Sequence, residues 1–325
     1  MNVGIVGCGL IGQKRARALA GSRLAACADL DLKRASLLAS QHAGCAALDT
    51  WEALVQRPDI GLVVVATAHD SLARIAAAAL RNGKHVLVEK PAARKSSELQ
   101  PVLEEERRSG KHVHVGFNHR YHRAFRKAFE LVRAGELGPL MFLRARYGHG
   151  GRPGYDREWR SLKEKSGGGE LIDQGIHLVD LARCFLGEFT EVQGCAGTFF
   201  WEMDVEDNGF LMLRTPGQQV AFLHASCTEW KNLFSFEIYG KKGKLEISGL
   251  GGSYGVERLS WYRMLPEMGP PETTIWEFPM ADDSWENEMS EFLEDIRLDR
   301  EPSAGLPDAL AALRVIEEVY RVSGT

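Results

Sequence analysis

Two short stretches of this chain hold side chains able to move a proton and a hydride. In Glu170-Leu171-Ile172-Asp173-Gln174-Gly175-Ile176-His177-Leu178-Val179-Asp180, a helical repeat of about 3.6 residues sets Asp173 and His177 one turn apart, with Asp180 farther along the same stripe. Such a pair could hold a hydroxyl group, His177 taking its proton as general base while hydride leaves the same carbon, and Asp173 orienting the substrate or the imidazole. The second stretch is Glu89-Lys90-Pro91. A lysine just past the carboxyl end of a parallel strand faces a ligand crevice, where its ammonium can stabilise a developing alkoxide. Each stretch has a plainer reading. Glu170, Asp173, Gln174, His177 and Asp180 lie opposite Leu171, Ile172, Ile176, Leu178 and Val179, as on any amphipathic surface helix. Glu89-Lys90 could equally be a surface pair stopped by proline, and spacing does not separate these alternatives.

A hydride needs an acceptor, and the first residues supply a place for one. Gly7-Cys8-Gly9-Leu10-Ile11-Gly12 follows a strand pattern and opens a helix, which is the context that a dinucleotide fingerprint requires. Gly7 permits the tight turn, Gly9 lets backbone approach a pyrophosphate, and Gly12 allows close helix packing, with Leu10 and Ile11 at the helix N-terminus that receives the negative charge. Asp29, about 20 positions on, stands where an acid bonds the ribose hydroxyls and repels a 2′-phosphate, so the sequence predicts NAD rather than NADP. Lys33 and Arg34 keep the NADP alternative open.

The elements that must position these groups divide the chain in two. Strand patterns at Val3–Val6, Leu24–Ala28, Leu62–Ala66, His85–Val88 and His112–Gly116 alternate with Ala-rich helical stretches, clearest at Ser71–Arg81. That alternation predicts βαβ units and a parallel sheet, a Rossmann domain over residues 1–118. From about residue 140, successive β-rich runs at Met141–Tyr147, Val192–Phe200, Phe210–Arg214, Val220–Cys227, Phe234–Tyr239 and Lys244–Ile247 predict an antiparallel sheet. One helix, about Gly169–Phe185, interrupts them. Gly251-Gly252 and Pro266–Pro271 read as loops, and helices Ser284–Leu298 and Pro307–Val322 complete a second, α+β domain over residues 119–325.

Composition excludes several classes. The 325 residues include 40 Lys plus Arg against 44 Asp plus Glu, a formal charge of −4, with no long block of one sign. A nucleic-acid or membrane-surface partner is therefore not expected. Apolar runs such as Gly61–Ala68 are far shorter than the roughly 20 residues that span a bilayer. Met1 to Val6 begins a strand pattern rather than a secretory leader, so the expected location is cytoplasmic. Six scattered cysteines without a C-x-x-C are expected as reduced thiols. His112, His114, His119 and His122 lack a Cys or Glu at ligand spacing, and no metal is expected.

Taken together, Val3-Gly4-Ile5-Val6-Gly7-Cys8-Gly9, Ala66-Thr67 with Gly83-Lys84-His85-Val86, Glu89-Lys90-Pro91, Val115-Gly116-Phe117-Asn118-His119-Arg120 and Gly167-Gly168-Gly169 through Asp180 resemble the family of glucose-fructose oxidoreductases, inositol dehydrogenases and MocA-like proteins. The resemblance spans essentially the whole chain. It implies a Rossmann domain, then an open, mostly antiparallel sheet that lines the substrate site and mediates homo-oligomers, dimers or tetramers. It implies that Lys90, Asp173 and His177 match the Lys, Asp and His that inositol dehydrogenases use on a ring hydroxyl, with a cis bond before Pro91. Thr67, Glu89 and Lys90 join the glycine loop and Asp29 as candidate cofactor contacts, and Asn118 and Arg120 join the candidate substrate contacts. Ala68 and Leu72 depart from the family, which often has Pro and His there.

The segment Tyr147–Lys165, with Arg146, Arg152, Tyr155, Arg157, Trp159 and Arg160, could recognise a sugar through polar groups beside an aromatic face. Its arginines could also pair a phosphate. Arg152, Tyr155 and Trp159 are the candidate contacts, unless the segment is a solvated loop. The expected function is an NAD-dependent oxidoreductase interconverting a secondary ring alcohol and a ketone on a sugar, a sugar nucleotide (at its narrowest a 3-dehydrogenase) or a cyclitol. A non-catalytic NAD-binding regulator and a glycosidase cycling bound NAD are the alternatives.

Overall fold

A computed structural model describes residues 1–324, in two compact units. The first comprises Met1–Phe117 and Trp285–Leu310, the second Asn118–Ser284 and the residues from Ala311 onward.

In the first unit the chain runs β1 (Asn2–Val6), α1 (Leu10–Arg17), β2 (Arg23–Ala28), α2 (Leu32–Ser40), β3 (Ala46–Leu48), α3 (Trp51–Val55), β4 (Leu62–Val65), α4 (His69–Arg81), β5 (His85–Glu89), α5 (Gln100–Ser109) and β6 (Val113–Gly116). The six strands pair in the order β3-β2-β1-β4-β5-β6, all parallel. Strand order reverses beside β1, and open α/β sheets bind ligands outside the strand carboxyl ends at such a switch. Leu62 to Val65 are all buried, as strands covered on both faces must be. The three-residue β3 escapes sequence detection because it is too short to show a period.

The second unit contains α6 (Arg123–Arg133), β7 (Leu140–Gly148), α7 (Lys163–Ser166), a π-helical turn (Leu171–Gly175) leading into α8 (Ile176–Leu186), β8 (Glu191–Gly197), β9 (Asn208–Arg214), β10 (Val220–Ser226), β11 (Leu233–Gly240), β12 (Gly243–Ser248), β13 (Glu257–Arg263) and β14 (Glu272–Phe278). Its eight strands run β14-β13-β12-β11-β7-β10-β9-β8, antiparallel except where β10 lies parallel to β7. The open, mostly antiparallel sheet is thus present. The Pro266–Pro271 loop proves to be the hairpin between β13 and β14, two strands that the sequence pattern did not reveal.

The second domain drawn from sequence requires a correction. Helix α9 (Ser284–Leu298) belongs, from Trp285, with the first unit, because Met289 and Phe292 are fully buried in the core formed by Val3, Ile5, Leu24, Leu62 and Leu87. Helix α10 (Leu306–Ser323) begins in the first unit and continues in the second from Ala311. No helix among the described residues is long and apolar enough to cross a membrane.

A buried charge cluster fastens α9 to the sheet. Arg15 of α1 is completely buried, its Nε donating to Glu89 Oε1 at 2.6 Å and its Nη1 to Glu288 of α9. His114 of β6 lies 3.2 Å from the second Glu288 oxygen. Burial pushes the Glu89 carboxyl above its ordinary pKa against the pull of Arg15, whereas at Glu288 Arg15 and His114 overcome burial and hold it below. Replacing Arg15 by Ala would leave two buried carboxylates without their cation. The expected cost is about 3–5 kcal/mol, measured by denaturant unfolding, and a loss below about 1 kcal/mol would show the cluster to be dispensable.

Candidate active site

The chemistry-bearing residues fall in both units, each built by its own local means. In the first, Gly7 has φ +93°, and a Cβ there would stand 2.4 Å from the Ala66 carbonyl oxygen. A Cβ on Gly12 would approach the Gly7 carbonyl oxygen to 1.9 Å. These two glycines are required by the turn and by helix packing. At Gly9, in contrast, nothing lies within 4 Å of the position a Cβ would take, so the backbone there opens onto free space. Helix α1 starts behind it with no acidic residue in its first turn and no side-chain cap, and Leu10 at its start is exposed. Unclaimed N–H groups beside open backbone fit a pyrophosphate.

Asp29 closes the loop from the end of β2. Its Oδ2 accepts the Cys8 N–H at 2.8 Å and its Oδ1 the Asp31 N–H at 2.9 Å. Thr67 Oγ1 donates to the Ala68 carbonyl and accepts from Ser71 Oγ at the start of α4. At the end of β5 the Lys90–Pro91 bond is cis. Glu89, a candidate cofactor contact, turns its carboxylate to Arg15 within the buried cluster.

In the second unit, Asp173 and His177 lie on the π-helical turn and the first turn of α8. Amphipathic spacing allowed a solvated face here, and the structure overturns that alternative. Glu170, Asp173, His177 and Asp180 are at most 6% exposed, while Leu171, Ile172, Ile176, Leu178 and Val179 are buried as well. A helix buried all round needs a partner for each carboxylate. Arg160 Nε donates to Asp173 Oδ2 at 2.9 Å, and this carboxylate raises the guanidinium's pKa. Arg120 forks onto Asp180 at 2.8 and 2.5 Å. Tyr155 Oη donates to Glu170 Oε2 at 3.1 Å, with His149 Nε2 at 3.4 Å from the other oxygen. Gly175 keeps the turn close to β10, since a Cβ there would meet the Ala225 methyl at 3.1 Å. One-turn π segments often mark functional positions within helices.

His177 also stacks on His119, ring centres 3.8 Å apart and planes 21° off parallel. Tyr147 edges against both rings, and burial lifts its phenol well above the ordinary tyrosine range. The other histidines scatter: His112 faces Asp299, His114 faces Glu288 and His122 faces Glu257 at 2.9 Å. Asn118 Nδ2 donates to Ser284 Oγ at 3.1 Å, while its Oδ1 faces His119 Nδ1 at 3.2 Å.

Two of the candidate substrate contacts are engaged with carboxylates. Arg120 holds Asp180, and Arg152, with 63% of its side chain exposed, pairs with Glu158. Tyr155 is buried, and Trp159 carries Arg160 over its ring at 4.6 Å. Sequence reasoning missed Arg160, His119, Tyr147 and Glu170 as members of this cluster. Arg160 stood in the Arg-rich run and His119 beside Asn118 and Arg120, but only the fold brings them to Asp173 and His177.

Residues 1–117 match the model described as oxidoreductase family, NAD-binding Rossmann fold, and residues 125–246 match the GFO/IDH/MocA C-terminal domain. The chain belongs to the GFO/IDH/MocA oxidoreductase family. It is an NAD-binding enzyme of that family, and bound NAD supplies the acceptor or donor of hydride. Levoglucosan dehydrogenase of Pseudarthrobacter phenanthrenivorans is 26% identical over 75% of this chain and 73% of its own. Inositol 2-dehydrogenase 2 of Saccharopolyspora erythraea is 31% identical over 66% of this chain and 63% of its own. Among solved structures, levoglucosan dehydrogenase in complex with NADH and L-sorbose superposes with a TM-score of 0.89 at 22% identity, covering 100% of this chain and 97% of that one. Aldose-aldose oxidoreductase from Caulobacter crescentus, complexed with glycerol, gives 0.86 at 25% identity over 100% and 97%.

The His149–Glu170 pair yields a signed pH prediction. Burial works against the protonated imidazole, but Glu170 outweighs it and raises the His149 pKa above the ordinary 6.5. The stability contributed by the pair is therefore fully present below pH 6.5 and lost as pH rises through the raised value. An NMR titration should place the His149 midpoint above 6.5, and Glu170→Gln should bring it down. A midpoint below 6.5 in the wild type would refute the pairing.

Proposed function

We propose that the enzyme oxidises a secondary ring alcohol of a free sugar or cyclitol to the ketone, with Lys90, Asp173 and His177 as its catalytic residues. NAD, when bound, would take up the carbinol hydrogen as hydride; the hydroxyl proton passes to a ring nitrogen of His177 as the carbonyl double bond forms. Lys90 stabilises the alkoxide character that develops meanwhile, and Asp173, held by Arg160, orients the hydroxyl. Gly7, Gly9, Leu10, Ile11, Gly12, Asp29, Thr67 and the backbone at Glu89 and Lys90 hold the dinucleotide. Asn118, Tyr155 and Trp159 line the sugar side.

The observation that carries this reading is the burial of Asp173 and His177 in one polar cluster, Asp173 bonded to Arg160 and His177 stacked on His119. Burying so many polar and charged groups is costly even when they are paired, and such clusters gather at functional sites. The names of the relatives, levoglucosan dehydrogenase and inositol 2-dehydrogenase, support a neutral polyol. A nucleotide-linked sugar is the second reading, supported by dTDP-3,4-didehydro-2,6-dideoxy-alpha-D-glucose 3-reductase of Streptomyces violaceoruber, 28% identical over 64% of this chain. We favour the uncharged ring because Arg152, Arg157 and Arg160 already face Glu158, Asp156 and Asp173. The exposed sheet residues Met212 and Phe222, paired across β9 and β10, suit a homo-oligomer, and light scattering tests that.

Screening inositols, free sugars and nucleotide sugars for reduction of NAD tests class and substrate together. Reduction by a neutral polyol is the expected result. Binding of NAD without any turnover would favour a regulator, and glycosidic cleavage without net NADH the internal redox cycle.

Calorimetric titration should show NAD binding more tightly than NADP, because Asp29 would oppose a 2′-phosphate. Equal or tighter NADP binding overturns this and points to Lys33 or Arg34.

Lys90→Met should lower turnover by about 10² to 10³. His177→Ala should lower it by about 10² to 10⁴. NAD affinity should stay near normal in both. Near-normal turnover in either folded variant removes that residue from the mechanism.

A further inference from the structure

Beyond the residues proposed to touch substrate, two adjacent buried acids immediately before β9 hold the elements that carry them. Glu206 is 4% exposed and Asp207 fully buried. Glu206 Oε2 accepts the Gly169 N–H at 2.8 Å, and Oε1 accepts the Leu171 N–H at 2.9 Å and the Tyr320 hydroxyl at 2.8 Å. Its backbone carbonyl also accepts the Glu170 N–H at 3.0 Å. Three successive N–H groups at the entry to the π-helical turn are thus taken by one residue 35 or more positions away. The fit leaves no slack: a Cβ on Gly169 would lie 1.9 Å from the Glu206 carbonyl oxygen. A carboxylate on N-terminal N–H groups satisfies donors that would otherwise be orphaned and complements the positive end of the helix.

Asp207 performs the same service for a different element. Its carboxylate accepts the N–H groups of Phe199, Phe200 and Trp201 at 2.9, 2.7 and 3.0 Å, and Asn208 Nδ2 donates to it at 2.9 Å. The loop so fixed lays Trp201 against the Tyr155 ring, with centres 5.7 Å apart, and over Gly151, whose Cβ would meet the indole at 2.3 Å. The Trp201 Nε1–H is anchored on the Cys227 carbonyl at 3.0 Å. Tyr155 in turn is bonded to Glu170.

We infer that Glu206 and Asp207 are positioning residues with separable duties. Glu206 aligns Asp173 and His177 for the chemical step, and Asp207 shapes the aromatic wall at Tyr155 that receives the sugar ring. This rests on the function proposed above. Misplacing a catalytic group by an ångström can cost about a hundredfold in rate, while loosening a binding wall weakens ground state and transition state alike.

The test compares Glu206→Gln and Asp207→Asn in the full-length enzyme with a neutral polyol and NAD. Gln keeps the shape but offers an amide where a second acceptor is needed, so Glu206→Gln should lower kcat about tenfold or more with KM within about twofold. Asp207→Asn should raise KM about tenfold with kcat within about twofold. Tyr320→Phe, which removes only the third bond to Glu206, should reproduce the kcat effect more weakly, and it stands in if Glu206→Gln does not fold. Equal changes in kcat and KM for both acids, or no change in either, overturn the division.

Amide exchange gives the readout that needs no turnover. Glu206→Gln should speed exchange across residues 169–177 and Asp207→Asn across residues 199–201. Uniform loosening in both variants, or none, refutes the proposal. A wild-type enzyme that oxidises no polyol while the two variants loosen their separate segments would refute the catalytic reading and leave the two anchoring roles standing.

Discussion

The interaction on which the first unit depends is the burial of the Arg15 guanidinium between Glu89 and Glu288. Arg15 lies three residues past the last glycine of the loop, Glu89 ends β5 one residue before Lys90, and Glu288 comes from a helix far along the chain. A guanidinium with no exposed side-chain surface is costly to bury without its carboxylates, so the packing of these three elements is coupled. The turn at Gly7 to Gly12 and the strand end that presents Lys90 therefore share one electrostatic support. Trp285 adds to it from α9, its ring 4.4 Å from the Arg15 guanidinium carbon.

This support also explains what the sequence could and could not reveal. The alternation of apolar strands and Ala-rich helices is local, and so is the glycine loop; the parallel sheet and its cofactor turn were legible from them. Arg15, Glu89 and Glu288 are ordinary charged residues in sequence, separated by 74 and 273 positions along the pairs they make. Nothing local distinguishes them from solvated charges, which is why the attachment of α9 to the first unit was not legible.

In the second unit the difficulty was one of period rather than distance. A helix carrying Glu170, Asp173, His177 and Asp180 on one stripe looks amphipathic, and amphipathic helices are normally half solvated. Here the polar stripe meets Arg160, Arg120, His149, Tyr155 and His119, so both stripes are interior. Each of those partners lies on a loop or short turn between residues 118 and 161, where side-chain direction follows no period. Asp173 and His177 could be singled out as candidates from type and spacing, but the partners that surround them could not.

One device recurs at the elements that carry function: a carboxylate brought from elsewhere in the chain onto backbone N–H groups. Asp29 takes Cys8, Glu206 takes Gly169 and Leu171, Asp207 takes Phe199 to Trp201, and Glu257 takes Ala124 at the start of α6. Buried or half-buried N–H groups are costly when unpaired, so supplying an anion is the ordinary solution. At helix α1, Gly9 precedes the first turn, and neither a side-chain cap nor a first-turn acid serves it. Asp29 approaches only as far as the Cys8 N–H, which fixes the loop and leaves the helix end itself without a protein anion. An open helix N-terminus without a protein anion offers N–H groups and a positive dipole end, the two features a phosphate group would use.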